Sequence, residues 1–162
     1  MLKLQEQLAT SDRKQLDHIR DFIKSLKRVC VAFSGGVDSS LVAAIAEEQL
    51  GTCAIAITGV SPSLAPHLLE EARLQANWIG IEHEECLTNE LEDPHYSENP
   101  IDRCFACKKE LHKHLMLIAR NFSGAIVLDG VNADDLNDYR PGIEAAQIAG
   151  VRSPLAELKV HK

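Results

Sequence analysis

The stretch Ser34-Gly-Gly-Val-Asp-Ser39, followed by Ser40, sets two adjacent glycines among hydroxyls and one carboxylate. A glycine turn that opens a helix leaves several backbone N–H groups unpaired at the positive end of the helix dipole, where an oxyanion binds. Gly35 and Gly36 allow unusual φ values and close approach of the anion, while Ser34, Ser39 and Ser40 add uncharged donors. Phosphate is the natural ligand of such a turn. The common nucleoside-triphosphate loop is excluded, because it needs a lysine before a Ser or Thr, and Asp38 stands in that region. The dinucleotide pattern is excluded as well. It needs three glycines and an acidic residue at the end of the second strand, where this chain has Thr58 and Gly59.

Three further groups carry chemistry. Cys104 and Cys107 are three apart at the start of an expected helix, with Arg103, Lys108 and Lys109 beside them to favour thiolates. This pair reads as a ligand or redox site, as zinc ligands with His95, His112 or His114, or as two unligated thiols. Asp129 and Gly130 end an apolar run, and Asn132, Asp134 and Asp135 continue from it. Arg140 and Arg152 could bind phosphate or pair with nearby aspartates. Cys30, Cys53 and Cys86 fall on expected strands and read as small buried residues.

These groups need elements to hold them. Leu16, Ile19, Ile23 and Leu26 recur at three and four, predicting a helix from Ser11 to Leu26. Apolar runs at 28–33, 53–58 and 125–129 predict buried strands, and a further strand is expected at 81–86. Helices are predicted from Asp38 to Leu50, from Ser63 or Pro66 to Ile79, and from Arg103 to Arg120, the first two stopped by Gly51 and Gly80. A long polar loop covers 88–102, and Pro141 opens a short helix ending near Gly150. Strands alternating with helices predict an α/β fold: an open, mostly parallel twisted sheet with helices on both faces. Residues 151–162 read as the start of another strand and helix cut short, so a fragment is expected.

The Ser-Gly-Gly-x-Asp-Ser pattern resembles the PP-loop ATP pyrophosphatases, which grip the pyrophosphate of ATP while AMP is transferred to an acceptor. Residues 34–39 match at every fixed position. With the blocks at 99–109, 129–135, 138–142 and 150–155, the chain is similar to the LarE family of ATP-dependent sulfur transferases. The resemblance implies a Rossmann-like PP-loop domain over residues 28–162, preceded by a leading helix over 1–27. It also implies adenylylation of a carboxylate of a pyridinium mononucleotide and its conversion to a thiocarboxylate, a step toward the nickel-pincer nucleotide cofactor.

Carried onto this chain, the resemblance has Ser34, Gly35, Gly36, Val37, Asp38, Ser39 and Ser40 holding ATP, with Asp38 beside Mg²⁺. Thr58, Asp129 and Gly130 would complete the nucleotide site, and Arg140 and Arg152 would take the substrate phosphate. Lys108 matches a family lysine near the adenylate. Cys104 and Cys107 match the branch in which a third, more C-terminal cysteine completes a [4Fe-4S] cluster; that position lies beyond Lys162. The resemblance further implies a homo-oligomer for the full-length protein.

Composition narrows the partners. A formal charge of −7, with 24 acidic and 17 basic residues, argues against general affinity for nucleic acid or anionic membranes. No run approaches the ~20 apolar residues of a membrane span, and the polar N-terminus lacks a signal-peptide core. A cytosolic protein with reduced thiols is expected. Two alternatives remain: another AMP-forming PP-loop enzyme, of the NAD or GMP synthase or tRNA-thiolating kind, and an adenine-nucleotide-binding module without turnover.

Overall fold

The computed structural model describes residues 8–88, 103–137 and 150–162, with residues 103–110 and 137 described by their backbone alone. The elements run α1 (Thr10–Leu26), β1 (Val29–Ala32), α2 (Val37–Leu50), β2 (Ala54–Val60), α3 (Pro66–Ile79), β3 (Glu82–Leu87), α4 (Arg103–Asn121), β4 (Ile126–Leu128) and α5 (Pro154–Glu157). Each lies within a few residues of its sequence expectation. The helix expected after Pro141, most of the 88–102 loop and Arg140 lie outside the described residues.

The strands form one sheet in the order β3-β2-β1-β4, and every pairing is parallel. Val29 is in register with Ala54 on one side and Ile126 on the other, which makes β1 the buried centre. Side chains alternate between faces along β1. Val29 and Val31 join Leu16, Ile19 and Ile23 of α1, Val42 and Ile45 of α2, and Ala72 and Ala76 of α3 in one core. Cys30 enters a second core on the other face with Ile55, Ile57, Val127, and Leu115 and Ala119 of α4. The leading helix is therefore packed into the same core as the sheet. Residue 152 bridges Leu128 in parallel, extending the sheet beyond β4 by one step.

This strand order positions the site. From β1 the chain proceeds to β2 and β3 on one side, then crosses to β4 on the other. The connections leaving β1 and β4 consequently diverge at their carboxyl ends, and the crevice between such ends is where open α/β sheets hold ligands. The glycine turn follows β1, and Asp129 follows β4.

Two cysteines differ from expectation. Cys30 is buried on β1, and loss of water pushes its thiol up to about 11, with Glu84 adding to the effect. Cys53 instead lies half-buried in a 3₁₀ turn, Gly51–Cys53, because Gly51 ends α2 with a positive φ and one tight turn precedes β2. Cys86 is on β3 but only half-buried, since β3 is an edge strand. Among the described residues no helix is long and apolar enough to cross a membrane.

Candidate functional site

At the carboxyl ends of β1, β2 and β4 the chain encloses a cleft of about 690 Å³. Ser34, Gly35, Gly36, Val37, Asp38, Ser39, Thr58, Asp129 and Gly130 all line it. So do Asp135, Leu111, His112, Glu71 and Lys162. The topology thus brings together the glycine turn, Thr58 and the β4 end.

The turn takes its shape from its glycines. Gly35 has φ +79, and a Cβ there would stand 2.9 Å from the Cα of Ala72 on α3, so both backbone and space demand glycine. Gly36 is the N-cap of α2 in extended conformation and supplies no side-chain cap. The helix's first N–H groups therefore keep their anion-binding potential. On the far side Gly130 packs directly on the turn: its Cβ would come within 2.7 Å of the Ser39 nitrogen.

The serines serve the turn as much as any ligand. Ser34 Oγ accepts from Gly36 N at 3.3 Å and lies 3.1 Å from Ser39 Oγ, which accepts from Ser34 N at 3.3 Å. Ser39 Oγ is also 3.3 Å from the Gly36 carbonyl. They brace the loop from within. The Ser40 hydroxyl is buried without a hydrogen-bond partner among the described residues and is not part of the cleft lining.

Thr58 is held on two sides. Its Oγ1 lies 2.8 Å from the Phe33 carbonyl and 2.8 Å from Nε2 of His83. Each contact needs one proton, the carbonyl has none and the threonine only one. His83 therefore donates from Nε2 to Thr58, and Thr58 donates to Phe33. Burial lowers the His83 pKa, more than Glu85 raises it, which favours the neutral ring carrying that proton.

The loop after β4 is organised around Asn132, which is 1% exposed. Its Oδ1 accepts from Asp134 N at 2.9 Å and Asp135 N at 3.1 Å, and its Nδ2 donates to Asp38 Oδ2 at 3.0 Å. Asp129 is buried, with Oδ1 accepting from Val131 N at 3.1 Å.

Among the described residues, the cationic residue lining the cleft is not one the sequence singled out. Lys162 lines it, brought there by a tail that folds back on the 129–135 loop: Ala133 N donates to Val160 O at 2.8 Å, and Asp134 accepts from Lys162 N and His161 Nδ1, each at 2.7 Å. These bonds lower the Asp134 pKa, His161 contributing most. Only the return of the tail shows Lys162; a lysine two residues after an apolar one carries no local signal. Arg152 is placed elsewhere. Its guanidinium lies 5.1 Å above the Phe22 ring of α1 and donates to Glu157 at 2.9 Å, because the sheet alternation that buries Val151 with the α4 core turns residue 152 to the α1 side.

Cys104, Cys107 and Lys108 occupy the first turns of α4, Cys107 and Lys108 one turn and Cys104 two turns before Leu111 and His112 at the cleft. Their side chains lie outside the described residues, as does Arg140. Among the described residues no group of three or more His, Cys, Asp or Glu could hold a metal ion. His112 and His114 by themselves form no zinc site.

The family model for asparagine synthase matches residues 16–137, the span from α1 through the loop after β4. The chain belongs to this family of PP-loop domains. An uncharacterized protein of Synechocystis sp. is 54% identical over 148 residues, covering 91% of this chain and 55% of that protein. The pyridinium-3,5-bisthiocarboxylic acid mononucleotide synthase of Lactiplantibacillus plantarum is 38% identical over 141 residues, covering 86% of this chain and 51% of the synthase. The chain spans about half the length of the curated relatives it matches.

Solved structures share the fold. The glutamine-dependent NAD+ synthetase of Acinetobacter baumannii, in complex with ADP, superposes with a TM-score of 0.70 at 19% identity, over 96% of this chain and 32% of that one. The NH3-dependent NAD synthetase of Campylobacter jejuni gives 0.66 at 19% identity, over 76% and 58%. This PP-loop domain thus has the Rossmann-like architecture expected of it.

Proposed function

We propose that this PP-loop domain is the nucleotide-binding part of an ATP-dependent sulfur transferase of the LarE type. It would transfer AMP to a carboxylate of a pyridinium mononucleotide, release pyrophosphate and prepare the carboxylate for conversion to a thiocarboxylate. The observation that carries the reading is the uncapped N-terminus of α2 sharing one cleft with Lys162. The substrate class is supported by the 38% identity to the mononucleotide synthase.

The chemistry follows from charge. A carboxylate is a poor electrophile, and AMP attached to it creates a leaving group that a sulfur nucleophile displaces. Backbone N–H groups of Val37 and Asp38, with the Lys162 ammonium, would hold the departing pyrophosphate, stabilising charge where it develops. Buried Thr58 and the apolar Leu64 and Leu68 would wall the nucleoside end.

Mg²⁺ fits the cleft through one carboxylate and phosphate oxygens, since no three protein donors gather there among the described residues. Among the described residues, Asp38, Glu71, Asp129 and Asp135 line the cleft with Lys162, so a bare polyphosphate would meet net negative charge from them. Asp38 would hold the cation, which supplies charge neutralisation among phosphate oxygens. For an iron-sulfur cluster the described residues offer no such set: Cys30 is buried with its thiol pushed up to about 11, and no metal-binding cluster forms. Cys104, Cys107 and Lys108, one to two turns before the cleft on α4, are proposed as the sulfur-side residues, by resemblance and position.

Titration calorimetry with Mg·ATP, followed by a pyrophosphate-release assay with the pyridinium carboxylate mononucleotide, tests the reading. Binding is expected, with release only when the acceptor is present. Absence of Mg·ATP binding overturns the nucleotide assignment. Acceptor-independent release, or release driven instead by ammonia and a nicotinate dinucleotide, overturns the sulfur-transferase assignment.

A further inference from the structure

We propose that Asn132 is a positioning residue of the cleft, acting through Asp38, and that a carboxamide is required there because one end must accept while the other donates. The inference rests on the nucleotide reading for its ligand, but its structural half stands apart from it.

An amide can usually be turned end for end with little trace in a structure. Here its neighbours decide. Two backbone N–H groups, from Asp134 at 2.9 Å and Asp135 at 3.1 Å, point at one end, and only an oxygen can accept them. The NH₂ end is thereby committed to Asp38 Oδ2 at 3.0 Å, ninety-four residues away in sequence. The backbone N–H of Asn132 donates in turn to Asp135 Oδ2 at 3.1 Å. One residue, 1% exposed, therefore engages both carboxylates, one on α2 and one on the loop after β4.

No other side chain does this in the same space. An aspartate at 132 would keep the two loop bonds but turn a second carboxylate oxygen toward Asp38, with no donor between them. A glutamine would add a methylene to a packed site. Alanine would leave two N–H groups and a carboxylate oxygen without their partner. With Oδ2 held by Asn132, Asp38 turns its other oxygen to the ligand without rotating, so its share of the Mg·ATP site is set before binding.

A reversed pair tests this in the full chain. N132D should lower the thermal midpoint by on the order of 5 °C and weaken Mg·ATP binding at least tenfold. The double variant D38N/N132D places a carboxamide donor at 38 against a carboxylate acceptor at 132, restoring the bond in reverse at unchanged net charge. Its midpoint should return to within about 2 °C of the parent, while binding stays as weak as in D38N, because the carboxylate that faces the ligand is gone. Failure of the midpoint to recover overturns the pairing, and undiminished Mg·ATP binding in N132D overturns the positioning role. If the parent itself binds no Mg·ATP, the nucleotide reading falls, and the midpoints still decide whether the amide and carboxylate are paired.

Discussion

The glycine turn at residues 34–39 and the loop and tail at 129–135 and 160–162 meet at one cleft but are built by opposite means. The turn is contiguous: Ser34, Gly36 and Ser39 bond one another, and a single positive φ at Gly35 sets its path. The second region is assembled from afar. Asn132 reaches Asp38 across 94 residues, and Asp134 gathers the tail 27 and 28 residues later. A short-range motif can make an anion cradle from backbone alone, because the groups it needs are on every residue. Countercharge and cation binding need particular side chains, and those arrive only when distant segments pack together.

The contact between the two regions is where the comparison breaks most sharply. G130A would set a methyl 2.7 Å from the Ser39 nitrogen and 3.0 Å from the Asp38 carbonyl carbon, with backbone on the receiving side. Mg·ATP affinity should fall by about a hundredfold or more, since α2 must move away from β4. G80A is the control. Gly80, unlike Gly130, has a positive φ, but nothing lies within 4 Å of its missing Cβ, so about 1 kcal/mol of stability should be lost with affinity unchanged. Equal affinity losses in the two variants would show that general destabilisation, not the contact, governs the cleft.

Lys162 and Arg152 give the next contrast. K162A should weaken Mg·ATP about tenfold by calorimetry, a loss of ~1.4 kcal/mol. R152A should leave affinity within about twofold and lower only stability, as its guanidinium packs on Phe22 and pairs with Glu157. A larger binding loss for R152A would reverse the assignment.

A smaller effect is expected at the tail clasp. D134A removes the acceptor of both His161 and Lys162 N, and affinity should drop about threefold because Lys162 remains present but less well held. The smallest concerns His83 behind Thr58. Burial lowers its pKa, so below about pH 6.5 the unfolded chain takes up a proton before the folded one does. The stability associated with neutral His83 is thus intact above that pH and declines as pH falls through the lowered value. H83Q, which retains a donor for Thr58, should flatten this decline in the urea midpoint between about pH 7 and about pH 5, by less than ~1 kcal/mol.

Much of the fold was legible in the chain. Apolar runs marked β1, β2 and β4, and the three-and-four spacing of Leu16, Ile19 and Ile23 marked α1. Gly51 and Gly80, each with positive φ, marked the ends of α2 and α3. These signals are local, since a helix face or a buried strand writes its period into neighbouring residues. Cys53 was misread because a 3₁₀ turn one residue before a strand has no period of its own. Whether Arg152 would face phosphate or a carboxylate partner could not be read because its side depends on which strand it joins, and Lys162 gave no sign because only the tail's return brings it to the cleft.

By itself the sequence determined a glycine turn opening a helix at residues 34–39, the arrangement whose backbone N–H groups suit an anion. It also determined the alternation that makes a parallel sheet. Only the tertiary structure decided which charges face that turn. The order β3-β2-β1-β4 set the end of β4 beside the turn, and the returning tail carried Lys162 into the cleft while alternation along the sheet turned Arg152 away. Side-chain direction in a sheet depends on register, and register is settled by which strands pair, not by any residue alone.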